Sequence, residues 1–335
     1  MNILEKAINK IDRQKVWRMP SLFLFSNIMM DLSQVKSSEI KNLELLARQV
    51  VEGFITGMHK SPFHGFSVEF SEHKLYNKGE STRHIDWKLF AKTEKLYTKK
   101  YEEETNLRCH IIIDNSASMH YPVLKTQSLD QLNKIGFSAV AAASLMEVLK
   151  RQRDAVGLSI YSDTYEYYAP EKGSDRHRKM ILHQLEKLLT SNSKASTETY
   201  QYLHEIAEKI HRRSLIFLFT DMMQSNTNQE ALFEALRHLK HNKHEVVLFH
   251  TFDGKTEFKF DFDNSPKKFV DVETGEEVNL FSENIQEQYT SLVDSYFKEL
   301  KNKCLQYKID YVPVDIQIGF NQVLTSYFLS RQKMM

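Results

Sequence analysis

From residue 107 onward the chain alternates short apolar runs with longer segments whose apolar positions recur every three or four residues. Residues 107–113 (LRCHIII), 156–161, 165–169, 214–220 (SLIFLFT), 245–251 (EVVLFHT) and 309–314 are predicted strands, being short, apolar and rich in β-branched or aromatic side chains. A long helix is predicted through Leu132, Ile135, Val140, Leu145 and Leu149, where Ala141, Ala142 and Ala143 allow close approach to a sheet. Further helical periodicity covers about 176–190, 198–210, 228–241, 284–304 and 321–330. Strands alternating with helices build a mostly parallel, doubly wound sheet with helices on both faces, an α/β fold. Residues 255–282 break the rhythm and read as a polar hairpin insertion.

Upstream, the period differs. Leu4, Ala7, Ile8, Ile11 and Lys15 have helical spacing that Pro20 stops, and a stronger stripe runs through Ile40, Leu43, Ala47, Val50, Phe54 and Met58. Residues 63–101 are aromatic-rich, with turn signals at Pro62, Gly65 and Asn77-Lys78-Gly79, and predict short strands around a helical turn at 85–91. The expected organisation is therefore an N-terminal helical and β segment, 1–104, packed on an α/β domain, 105–330.

Composition narrows the function. Lys+Arg at 45 against Asp+Glu at 44 leaves a net charge of +1, so no global pull toward nucleic acid or anionic membrane is expected. With 10 Gly and 6 Pro, long low-complexity stretches are not expected. Two cysteines, Cys109 and Cys304, fit a reducing compartment. The start of the chain does not read as a secretory signal, and the longest apolar run, 22–30, falls short of the roughly twenty residues a membrane helix needs. A cytoplasmic protein without a membrane segment is the expectation.

Candidate chemistry lies at strand ends. Asp114, Ser116 and Ser118 follow the strand 107–113, and Asp221 follows the strand 214–220. In a parallel sheet both positions fall beyond the carboxyl ends, where open α/β sheets bind ligands. Carboxylates and hydroxyls suit a hard divalent cation: Mg2+, or Mn2+ or Ca2+. Two hydroxyls at i, i+2 can turn to one side, Asp114 and Asp221 can hold coordinated waters, and Thr197 supplies a third hydroxyl from the loop before the helix at 198. Thr199, two residues on, is the other candidate and belongs more naturally to the first helical turn. Aspartate followed by serine after a strand also serves as a plain Asx turn. The second strand-end aspartate and the threonine loop favour the metal. Hydroxyl ligands leave the ion electron-poor and open to a carboxylate from a partner protein.

No G-x-S-x-G elbow, P-loop or dinucleotide glycine fingerprint is present, so no catalytic residues are assigned. The alternative is a Mg2+-dependent hydrolase, such as a phosphatase, acting at the same site. Asp114 could serve as its nucleophile, but Ser116 stands where a second acid at i+2 would be wanted.

The segment Gly79-Glu80-Ser81-Thr82-Arg83-His84-Ile85-Asp86-Trp87-Lys88, then Ala91-Lys92-Thr93 and Leu96-Tyr97-Thr98-Lys99-Lys100, stands just upstream of Asp114 to Met119. This arrangement resembles the bacterial von Willebrand factor A-like (VWA-like) proteins of the domain of unknown function 58 family, across roughly residues 40–320. Asp271-Val272-Glu273-Thr274-Gly275 resembles the family's late hairpin. The sequence departs from the family pattern at Glu80, at Lys92 and at Ala195-Ser196, which replace an aspartate, an arginine and glycines. The resemblance implies a VWA-like domain with a metal-ion-dependent adhesion site (MIDAS) at Asp114, Ser116, Ser118, Thr197 and Asp221. It also implies an adaptor role beside a MoxR-type AAA+ ATPase.

Other residues have plainer readings. Arg83, Asp86 and Trp87 are expected as a buried anchor rather than a binding surface. Lys88, Lys92, Lys95, Lys99 and Lys100 read as a solvated edge. His238, His241 and His244 fall near a helix end and read as an exposed last turn. Cys109 is expected in the core.

Overall fold

The computed structural model describes residues 42–57, 73–75, 87–99, 107–190 except 125, 129, 130 and 163, 199–222, 229–270 except 264, and 277–334. The chain divides into two compact units, one of residues 59–106 and the other comprising the rest.

In the larger unit, the central sheet contains β3 (Arg108–Asp114), β4 (Ala155–Tyr161), β5 (Tyr165–Lys172), β6 (Leu215–Thr220), β7 (Glu245–Phe252) and β10 (Asp310–Asp315). Their spatial order is β10-β7-β6-β3-β4-β5. All neighbours are parallel except β4 and β5, whose pairing also carries two register shifts. The chain winds outward from β3 to β4 and later from β6 to β7, so strand order reverses between β3 and β6. That reversal opens a crevice at the strands' carboxyl tips.

The helices are α1 (Leu43–Gly57), α3 (Lys134–Arg151), α4 (Asp175–Thr190), α5 (Thr199–Lys209), α6 (Gln229–His241), α7 (Ser282–Gln306) and α8 (Asn321–Met334). Side chains alternate across each strand, so Ile112, Ile216, Leu218 and Leu248 meet Leu203, Ile206, Leu236 and Leu300 of α5, α6 and α7. On the opposite face Phe217, Phe219 and Phe249 stack together, and Phe217 meets Tyr327 of α8. α3 is buried along nearly its whole length, its four alanines included. It is apolar on all sides because it has neighbours on all sides. Asn133 caps it by accepting the Gly136 N–H at 2.8 Å.

A buried polar cluster is built into the sheet. His110 sits between Glu171 (Nδ1 to Oε1, 2.6 Å) and Ser159 (Nε2 to Oγ, 2.7 Å), all three buried side chains. Gly157 makes room for that ring: a Cβ there would lie 2.5 Å from His110 Nδ1. Between β7 and α7 the chain makes one π-helical turn (Gly254–Phe258), capped by Asp253, and then the antiparallel hairpin β8 (Lys267–Val270) and β9 (Glu277–Leu280).

The smaller unit pairs β1 (His73–Leu75) antiparallel with β2 (Tyr97–Lys99), and α2 (Trp87–Thr93) lies between them in sequence. Trp87, expected as a buried anchor, is instead 61% exposed, with its ring edge-on to Phe90 at 6.1 Å. Its bulk suggested burial, but in this short helix Trp87 and Phe90 share an exposed side, and Leu89 is half-buried. Arg83 and Asp86 lie outside the described residues, as does the helix expected over 3–17.

Candidate metal centre at the strand tips

β3 ends on Asp114, which the sheet carries to the crevice at 2% exposure. Its Oδ1 accepts the Ser116 N–H at 2.9 Å, the expected Asx-type turn, and its Oδ2 accepts the Thr220 hydroxyl at 2.8 Å. The second bond ties the tips of β3 and β6 together. Ser116 is extended and leads into a 3-10 turn (Ala117–His120), which brings the Ser116 and Ser118 hydroxyls to 3.1 Å. Ser116 is buried and Ser118 half-buried, so the pair has a route to solvent. Asn115 braces the loop, donating to the Glu166 carboxylate and meeting His120 Nε2 at 3.0 Å.

Asp221 follows β6 directly and is 2% exposed. The next residue, Met222, has φ of 53°, a left-handed conformation costly for a non-glycine residue. Its N–H donates to Thr220 Oγ1 at 3.2 Å and its carbonyl accepts the Tyr296 hydroxyl at 2.5 Å. The sharp turn that aims Asp221 into the crevice is thus held from both sides.

Lys134, absent from the candidates read from sequence, opens α3 and is fully buried. Its ammonium donates to Asp221 Oδ2 at 2.8 Å and Glu257 Oε1 at 2.6 Å. Glu257 Oε2 in turn accepts the Asp253 N–H at 2.7 Å, and Tyr121 donates to Thr256 at 2.8 Å. A lysine in a helix's first turn opposes the helix dipole, and that misfit was the available signal.

Asp221 and Glu257 share the Lys134 ammonium and Asp114 lies near Asp221, so the crevice holds more carboxylates than cations. Burial, with Asp221 alongside, pushes Asp114 up to about 7, against the Ser116 and Thr220 hydrogen bonds. Burial likewise raises Glu257, and Lys134 only partly offsets it. Lys134 is pulled down by burial and up, on balance, by Asp221 and Glu257. The donor set fits a hard divalent cation: carboxylates and paired hydroxyls converge on a site with surplus negative charge. Of the residues named from sequence, Asp114, Ser116, Ser118 and Asp221 meet at this edge. Thr197 lies outside the described residues, and Thr199 opens α5.

Elsewhere, His244 is fully buried, not part of an exposed turn, and accepts the Ser214 N–H at 3.1 Å. Cys109 and Cys304 are buried and unbridged.

A doubly wound sheet with one antiparallel edge strand, and an Asp-x-Ser-x-Ser loop at its switch point, defines a VWA-like α/β protein. The chain belongs to the family described as "Protein of unknown function DUF58", whose model matches residues 72–295. The uncharacterized protein Rv1480 of Mycobacterium tuberculosis is 26% identical over 113 residues, 34% of this chain and 33% of that one. Uncharacterized protein Mb1516 of Mycobacterium bovis matches to the same extent. The chain thus spans about a third of the length of these curated relatives. Among solved structures, BatB from Bacteroides thetaiotaomicron is 15% identical with a TM-score of 0.41, covering 68% of this chain and 98% of that one. An aerotolerance-related membrane protein from Bacteroides fragilis is 14% identical with a TM-score of 0.43, covering 68% and 99%. Among the described residues no helix is long and apolar enough to cross a membrane.

Proposed function

We propose that this chain is a metal-dependent, MIDAS-type adaptor that grips an acidic side chain of a partner protein. The observation that carries the reading is the meeting of Asp114, Ser116, Ser118 and Asp221 at one strand-tip crevice whose negative charge exceeds its positive charge. Ser116, Ser118 and Thr197 would hold Mg2+ (or Mn2+ or Ca2+), with Asp114 and Asp221 positioning its waters. The bound ion supplies a Lewis-acidic point for a carboxylate. This chain's own residues do the rest. Lys134 fixes Asp221, Thr220 fixes Asp114, and the 3-10 turn sets the spacing of the serine hydroxyls. A MoxR-type AAA+ ATPase is the partner that the family resemblance favours, and a cytoplasmic setting accords with the two unbridged thiols. The hydrolase alternative fits less well. Asp114 engages both oxygens inward and is almost wholly buried, a poor posture for a nucleophile.

The test is calorimetric titration with Mg2+ and Mn2+, alongside a pull-down with the ATPase. Asp114→Ala and Ser116→Ala should lose the metal, and both variants, or EDTA, should abolish the complex while circular dichroism stays native. A complex that survives chelation and substitution would sink the metal bridge. Metal-dependent phosphoester turnover by the isolated chain would favour the hydrolase.

A further inference from the structure

Away from the strand tips, α5 and α6 each turn a histidine toward the other. His204 Nδ1 and His238 Nδ1 are 2.8 Å apart, with ring centroids separated by 5.0 Å. On the far side of His238, Nε2 meets Glu208 Oε1 at 2.9 Å. Glu208 stands one turn beyond His204 on α5. The pair borders an open surface pocket of about 570 Å³, which Glu234, Arg237, His241 and Tyr307 also line. His238 has 29% of its side chain exposed, so a solute can reach it.

A carboxylate on Nε2 of His238 favours the proton at that nitrogen, which leaves a lone pair on Nδ1 facing His204. A carboxylate behind an imidazole in this way is the arrangement that orients and strengthens metal-bound histidines. Burial, with the second ring beside it, pushes His204 below the usual histidine value, which favours its neutral form. Both nitrogens can therefore present lone pairs to one point once the shared proton leaves.

We propose that His204 and His238 form a second cation site, selective for a borderline transition metal of the zinc class (Zn2+, Cu2+ or Ni2+). Zinc–nitrogen bonds of about 2.0–2.1 Å at a tetrahedral angle place two ligand nitrogens about 3.3 Å apart. The present pair reaches that by parting roughly half an ångström, within the range of small side-chain rotations. Among the described residues no three His, Cys, Asp or Glu side chains group as a metal cage. Among the described residues the two imidazoles are then the donor set, and water or an incoming ligand completes the shell. The two sites would sort ions by donor chemistry. Oxygens at the strand tips suit Mg2+, and nitrogens between the helices suit metals high in the Irving–Williams order. This proposal does not depend on the strand-tip reading. Occupancy would fasten α5 to α6, which follow in sequence the segments carrying Thr197 and Asp221.

The experiment is calorimetric titration of the full chain with zinc chloride in excess Mg2+, for wild type, His204→Gln, His238→Gln and, as a surface-histidine control, His183→Gln. We expect saturable binding of one ion in wild type and the control, and at least tenfold weaker binding in either paired-histidine variant. Co2+ should give visible ligand-field bands in wild type that vanish in both variants, while circular dichroism confirms that each is folded. Zinc isotherms of the two variants that superimpose on wild type, or no saturable binding in wild type, would overturn the proposal.

Discussion

Replacing Lys134 by methionine keeps the apolar stem of the side chain and removes its charge. The ammonium is fully buried against Asp221 and Glu257, whose side chains are 3% and 17% exposed. Removing one partner of a buried ion pair costs roughly 3–5 kcal/mol, because the remaining charge is stranded in a poorly polarisable interior. Here two carboxylates are stranded and Asp114 lies beside them, so the upper part of that range, about 4–5 kcal/mol, applies at pH 8. The sign of the pH dependence follows from linkage. Carboxylates whose folded pKa is raised contribute stability that is complete below the unfolded value and is lost as pH climbs through the folded one. The deficit of Lys134→Met should therefore shrink markedly at pH 6. Urea denaturation of wild type and variant at both pH values measures it. Lys134→Met/Asp221→Leu/Glu257→Met should recover most of the loss, since an apolar trio leaves no unpaired charge. A deficit equal at both pH values would assign the effect to packing. One below about 1 kcal/mol at pH 8 would refute the electrostatic account altogether.

Three further outcomes are expected. His250, fully buried with Nδ1 on the Tyr311 hydroxyl at 2.8 Å, is pushed by burial from 6.5 down to about 4. A depressed folded value means stability that is present above pH 6.5 and lost as pH falls toward 4, about 3 kcal/mol in all; His250→Phe should flatten that acid limb, and an unaltered limb would rule the assignment out. Trp87→Ala should cost no more than about 0.5 kcal/mol, as for an exposed site, and a melt depressed like that of a core truncation would contradict its exposure. Gly157→Ala would drive a methyl to 2.5 Å from His110 Nδ1 and 2.8 Å from the Ala169 carbonyl, so a loss of about 1–3 kcal/mol is expected in chemical denaturation, and no loss would refute the clash.

Much of the fold was legible because its signals are local. An apolar run such as 214–220 declares a buried strand, and the alanines of α3 declare close packing before any tertiary contact is known. Asp114 and Asp221 could be paired from sequence because each ends such a run, and parallel strands send both ends to one edge. The missed groups depend on contacts between distant segments. Lys134 meets Glu257 across 123 positions, through a turn that sequence showed only as part of a polar insertion. His204 and His238 are 34 positions apart and become a pair only once α5 and α6 are docked. Trp87 departs from the expected burial for a different reason. Aromatic bulk predicts burial on average, but a two-turn helix in a small unit has little interior to offer.

The antiparallel strand β5 and the strand β10 are the outer strands of the central sheet, and both resist extension. β10 places Pro313, which has no N–H to offer, in its middle and an aspartate at each end. β5 carries Pro170 between Ala169 and Glu171, and its pairing slips register twice. A second chain arriving edge-on would find interrupted hydrogen-bond ladders on either flank. Self-association by strand addition, the usual hazard of an open sheet, is thereby discouraged at both ends of the central sheet.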